Sequence, residues 1–126
     1  MNSVFGAFGP AIMFSIGCFV ALVSHEAAHI VIARSFGVRV KRIGISWRGP
    51  YIVRESGEPK ANLFIALAGP AANILLAIFC WDAMPMFAQI NLVLGLSNLL
   101  PLPASDGFRA WTALHQLELR ALRSAL

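Results

Sequence analysis

The stretch Ser24-His25-Glu26-Ala27-Ala28-His29 interrupts an otherwise apolar run from Ala11 to Ala33. As a helix, a run of that length is about 35 Å long at 1.5 Å per residue, enough to cross a hydrocarbon core of about 30 Å. An ionisable side chain inside such a span costs roughly 3 kcal/mol to insert and marks a functional site by default. Three within five residues call for a common explanation. His25 and His29 stand four apart, so a helix directs both imidazoles to one side, with Glu26 flanking them roughly 60° further round the axis. This H-E-x-x-H spacing suits a Zn²⁺ held by two neutral imidazoles, with Glu26 placed as general base to take a proton from a water that the metal acidifies. The ion would also offset the burial of all three groups.

The rest of the chain agrees with a membrane setting. Of 126 residues, 58% are hydrophobic and 13% charged, where soluble domains have about 45–50% and 25%. Mean hydropathy is +0.71. A soluble enzyme, a disulfide scaffold and a disordered tail are excluded, and the length suits a single unit. Two further apolar runs follow, Ala61–Trp81 and about Met84–Leu102, separated by a short turn at Trp81-Asp82-Ala83. We therefore expect an all-α integral membrane protein with three transmembrane helices, over about 11–33, 61–81 and 84–102. No charged segment precedes the first run, which reads as a retained span and not a cleaved leader.

The net charge of +4 could suggest nucleic acid, but the basic residues are placed otherwise. Arg34, Arg39, Lys41, Arg42, Arg48, Arg54 and Lys60 lie between runs one and two, and Arg109, Arg120 and Arg123 follow run three. This is the positive-inside pattern. It places the N-terminus outside and the C-terminus in the cytoplasm, with no nucleic-acid role. Between runs one and two, residues 38–54 alternate as a cytoplasmic β-hairpin, with a register break at Lys41-Arg42 and a turn at Arg48-Gly49-Pro50. Such a hairpin could hold an extended peptide by strand addition. Over about 107–125, Phe108, Trp111, Leu114, Leu117 and Leu122 recur at helical spacing, which predicts an amphipathic helix at the interface. Cys18 and Cys80 lie inside apolar runs without metal-binding spacing and read as small hydrophobes.

A catalytic zinc needs a third protein ligand and an open fourth position. The candidates are Asp82, Asp106, Glu55, Glu58, Glu118 and His115. His29 lies about 7.5 Å from the cytoplasmic boundary at Arg34, which excludes Asp82 at the opposite face. Glu55 and Glu58 belong to a polar loop, and His115 belongs to the amphipathic helix. Asp106 ends Asn98-Leu99-Leu100-Pro101-Leu102-Pro103-Ala104-Ser105-Asp106-Gly107, where two prolines break the third helix and let the chain fold back toward the histidines. Asn73, deep in run two, has two readings: a donor to the oxyanion or the bound substrate, and an interhelical hydrogen bond. Asn98 reads as structural, satisfying backbone groups freed by Pro101.

His25-Glu26-Ala27-Ala28-His29 in a first span, Ala68-Gly69-Pro70-Ala71-Ala72-Asn73 in a second and the Asn98–Gly107 stretch ending a third resemble the site-2 protease family of intramembrane zinc metalloproteases. The resemblance covers about residues 10–110. It implies one membrane-embedded metalloprotease core over 1–126, with one Zn²⁺ on His25, His29 and Asp106, Glu26 as general base and a transmembrane protein as substrate. Ala28 and Phe108 stand where many members have glycine. Members commonly carry gating spans or accessory domains that are not seen in these residues, so we expect a minimal member, an incomplete chain, or one that works with a partner chain or oligomer. The alternative is a non-catalytic zinc-binding adaptor of the same fold. A metal or proton transporter would need polar residues continuing to the outer face, and residues 11–23 offer only Ser15, Gly17 and Cys18.

Overall fold

A computed structural model describes residues 4–126. Its elements are α1 (Val4–Ser35), β1 (Val40–Ser46), β2 (Gly49–Arg54), α2 (Pro59–Cys80), α3 (Pro85–Leu99) and α4 (Asp106–Ser124). Among the described residues, two helices are long and apolar enough to cross a membrane, Phe8–Ser35 and Pro59–Cys80. The third run departs from its expected bounds of 84–102. Its helix has 15 residues, about 22 Å and short of a full hydrocarbon core. Met84 lies outside the helix and Pro85 begins it, while Leu100 turns extended at φ −65° and ψ 136°. That is the conformation a residue before proline is forced toward.

The helices meet along small residues. Ala21, His25, His29 and Ala33 are buried at every fourth position of α1. On α2 the matching buried row is Ala61, Ile65, Gly69, Asn73 and Ala77. Rows four apart form one ridge, and alanine and glycine on facing ridges let the backbones approach closely, as helices in lipid require. α3 contributes Ala88, Asn91 and Gly95, and α4 contributes Ala110 and Ala113. The large side chains point outward instead: Phe79 is 80% exposed, and Val31, Ile78 and Val93 are exposed with it. In water such a surface would drive aggregation; against acyl chains it costs nothing.

The hairpin forms with the expected irregularity, a register shift between Val40 and Arg42. Its turn lies one residue earlier than expected, at Trp47-Arg48, because Ser46 pairs with Gly49 and Ile45 with Pro50. Pro50 is tolerated in β2 for a geometric reason. The Glu55 N–H donates to Arg39 O at 2.9 Å, and alternation along the strand then directs Arg54, Ile52 and Pro50 away from β1. The donor that proline lacks is one the ladder does not use.

Beyond α3 the chain reverses within residues 100–105. Ala104 adopts φ 65°, in the left-handed region, and the Ser105 hydroxyl caps α4 by accepting from the Phe108 N–H at 3.1 Å. Asn98 does not serve groups freed by Pro101. Its amide donates to Leu94 O at 3.0 Å, four residues back on its own helix.

Candidate metal centre

His25 and His29 project from the buried row of α1 toward α2, and Asp106 reaches them from the first turn of α4. His25 Nε2 lies 2.7 Å from Asp106 Oδ2, His29 Nε2 lies 3.2 Å from the same oxygen, and the two Nε2 atoms are 3.1 Å apart. All three residues are buried, at 4–5% exposure. Asp106 owes its place to Gly107. A Cβ there would stand 2.1 Å from the backbone oxygen of Leu99, so only glycine lets α4 start against the end of α3. The N-terminal position on α4 also favours a carboxylate. Burial alone would raise the Asp106 carboxyl, but the hydrogen bonds with His25 and His29 outweigh it and hold the group well below the usual range.

The far sides of the imidazoles decide what the near sides can do. His29 Nδ1 lies 2.6 Å from the backbone oxygen of Ile65, which can only accept, so Nδ1 carries the proton. His25 Nδ1 lies 2.6 Å from Asn73 Oδ1. The orientation of that carboxamide is fixed by its other end, because Asn73 Nδ2 donates to Ala21 O at 3.1 Å and to Asn91 Oδ1 at 2.8 Å. His25 therefore also carries its proton on Nδ1. Both Nε2 lone pairs then face each other and a carboxylate oxygen. A single proton bridges one of these contacts and leaves the others repulsive, whereas a cation among the three atoms satisfies all of them. Their separations approach the roughly 3.3 Å that bonds of about 2.0–2.1 Å impose in a tetrahedral site. The donor set fits a metal ion, and Asn73 and Ile65 supply the outer contacts that fix ligand orientation.

The remaining candidates fall elsewhere. Glu26 flanks the histidines on α1, half-buried and without a hydrogen-bond partner among the described residues. Glu55 and Glu58 sit in ion pairs with Arg39 and Arg120, at 3.7 and 2.5 Å. Asp82 lies in the turn after α2, and His115 is exposed on α4. Cys18 and Cys80 are free thiols. His29 and Asp106 also line a cleft of about 580 Å³ between β2 and α4, together with Ile52, Arg54 and Arg109.

The solved structure of the site-2 protease from Methanocaldococcus jannaschii superposes with a TM-score of 0.72 at 26% identity, covering 90% of this chain and 56% of that one. The chain belongs to the site-2 protease family. Its relatives include Rip3 of Mycobacterium tuberculosis, 37% identical over 71% of this chain, and the zinc metalloprotease MJ0392 of M. jannaschii, 27% identical over 90%. The chain spans 27% of the first relative's length and 36% of the second's. No family model matches it. Within this site-2 protease relative, one residue of the centre escaped the sequence reading. Asn91 is fully buried and joins Phe87 O, at 2.9 Å, to Asn73 and so to His25. Its signal was the same as Asn73's, an amide inside an apolar run, but nothing in the sequence pairs one amide with the other.

Proposed function

We propose that this chain is the catalytic core of an intramembrane zinc protease. One Zn²⁺ would be held by His25, His29 and Asp106, and the substrate would be a transmembrane protein cut near the cytoplasmic side, as in regulated intramembrane proteolysis. The supporting observation is the convergence of two imidazole lone pairs and one carboxylate, with both Nδ1 protons already committed. When bound, zinc would polarise the scissile carbonyl and acidify the attacking water. Glu26, half-buried beside the site, would take a proton from the attacking water and pass it to the leaving amine. Asn73 acts by orienting His25, since both of its N–H groups are used within the bundle. For topology, we propose that α3, with the loop of residues 100–105 at its cytoplasmic end, makes a third crossing. Both basic stretches and the C-terminus then lie in the cytoplasm and the N-terminus outside.

The deciding experiment is zinc per chain in detergent-purified protein. Wild type is expected to hold close to one zinc, and His25→Ala and Asp106→Ala are each expected to lose most of it. A wild type that stays folded and takes up no added zinc would overturn the reading. The alternative, a zinc-binding adaptor without activity, predicts the same metal content and is separated from the protease by Glu26.

A transmembrane substrate must unwind before water reaches its peptide bonds, and the extended segment needs a template. β2 is the strand beside the cleft, and its outward backbone groups are those of Ile52 and Arg54. Strand addition along this edge predicts that Ile52→Pro, which removes an outward N–H and leaves the β1–β2 ladder intact, cuts cleavage about tenfold through loss of one or two backbone hydrogen bonds. Zinc content should stay at the wild-type level. Unchanged cleavage kinetics would exclude this edge.

A further inference from the structure

Two guanidinium groups face the cleft beside the metal centre, and neither has an acid to itself. Arg54, half-buried at the end of β2, donates from Nη1 to Glu55 O at 3.0 Å and to Asn62 Oδ1 at 3.1 Å, both uncharged acceptors. Asn62 is itself held in one orientation, because Oδ1 accepts from the Gly57 N–H at 3.0 Å and Nδ2 donates to Gly57 O at 2.8 Å. The Arg54 head group is thereby set in place before any ligand arrives. Arg109, in the first turns of α4, lies 3.7 Å from Asp106 Oδ1, while Oδ2 of that carboxylate is turned to the histidines. The other acid of the cleft wall, Glu55, pairs with Arg39. Burial lowers the Arg54 pKa and the like charge of Arg109 lowers it further, with the Asp106 carboxylate opposing them only in part. The two cations thus share one space whose near carboxylate, Asp106, is turned mainly to the histidines.

We infer that Arg54 and Arg109 form a carboxylate-binding subsite, which selects substrates bearing Asp or Glu in the segment lying along β2 and rejects those bearing Lys or Arg there. The inference rests on the proteolytic reading of the neighbouring site. A planar guanidinium held in position binds a carboxylate with two parallel N–H···O bonds, and a second cation nearby strengthens that contact and repels a basic side chain. The selection would be consequential, because the cytoplasmic ends of membrane helices are ordinarily rich in Lys and Arg. Most helices in the same bilayer would be refused at this subsite.

The test uses the full chain carrying Glu26→Gln, loaded with zinc in an uncharged detergent at moderate salt. The probes are fluorescein-labelled single-span synthetic peptides, identical except for Glu, Gln or Lys scanned through the cytoplasmic juxtamembrane positions. At one or two positions the Glu peptide is expected to bind roughly tenfold or more tightly than the Lys peptide by fluorescence anisotropy. That preference should weaken but keep its sign in Arg54→Lys, disappear in Arg54→Gln and reverse in Arg54→Glu. Equal affinity for Glu and Lys peptides at every position overturns the inference, as does a failure of every peptide to bind. A preference unchanged in Arg54→Gln does so as well. Cleavage of the same peptides by the wild type separates the two readings. Cleavage without charge preference removes the subsite and leaves the protease, while charge-selective binding without cleavage removes the protease and leaves the subsite.

Discussion

Replacing Gly69 by alanine is expected to weaken zinc binding by between about tenfold and a hundredfold, the scale on which disturbed ligand orientation acts, while the helices stay folded. A Cβ on Gly69 would stand 2.5 Å from His29 Nε2 and 2.6 Å from His25 Nε2, inside contact distance of both ligand atoms. The rings have little freedom to swing aside, because each is tethered to α2 itself, His29 through Ile65 O and His25 through Asn73 Oδ1. Relief therefore requires either loss of those bonds or separation of α1 from α2, and each moves the donors apart. The helix itself gains, since alanine is favoured over glycine in a helix interior by about 1 kcal/mol. Circular dichroism should show an unchanged helical signal, and a zinc titration should show the loss. Wild-type zinc affinity in Gly69→Ala would mean that the rings relax freely, and that Asn73 and Ile65 do not orient them.

This dependence on one missing methyl group explains what could and could not be read from the chain. The histidine pair was legible because the four-residue spacing translates directly into one face of a helix, and Asp106 was legible because a double proline break limits where the chain can go. The amphipathic α4 was legible from its period. Four things were not. The closeness of α1 to α2 at Gly69 depends on two small-residue rows meeting in register, a tertiary fact. Asn91 became part of the centre only through the packing of α3 on α2. The hairpin turn lies one residue earlier than the sequence suggests, because Gly49-Pro50 reads as turn chemistry, whereas the open outer edge of β2 lets that pair lie within the strand. The third helix is shorter than its apolar run for a related reason. Hydropathy continues through Leu102, but the backbone restriction ahead of Pro101 ends the helix at Leu99.

Glu26→Gln is expected to lower kcat between about a hundredfold and ten-thousandfold, the range that general acid–base catalysis supplies, and to leave zinc content unchanged. The substitution keeps the side-chain volume and removes only the ability to accept a proton. Among the described residues Glu26 makes no hydrogen bond, so glutamine breaks no such contact there, and an unchanged melting temperature separates the chemical effect from a loss of stability. The neighbouring ligands behave oppositely. His25→Ala would remove an imidazole that contacts His29, Asp106 and Asn73, and so should reduce metal content and fold stability together. A variant that keeps its zinc and its melting temperature but loses turnover isolates the chemical step. Equal cleavage by wild type and Glu26→Gln would assign the proton transfer to another group, with His29 and Asp106 unsuited to it while they hold the metal. A zinc-loaded wild type that cleaves no membrane-spanning peptide would favour the adaptor, because the same centre would then serve to pin α1, α2 and α4 together around one ion.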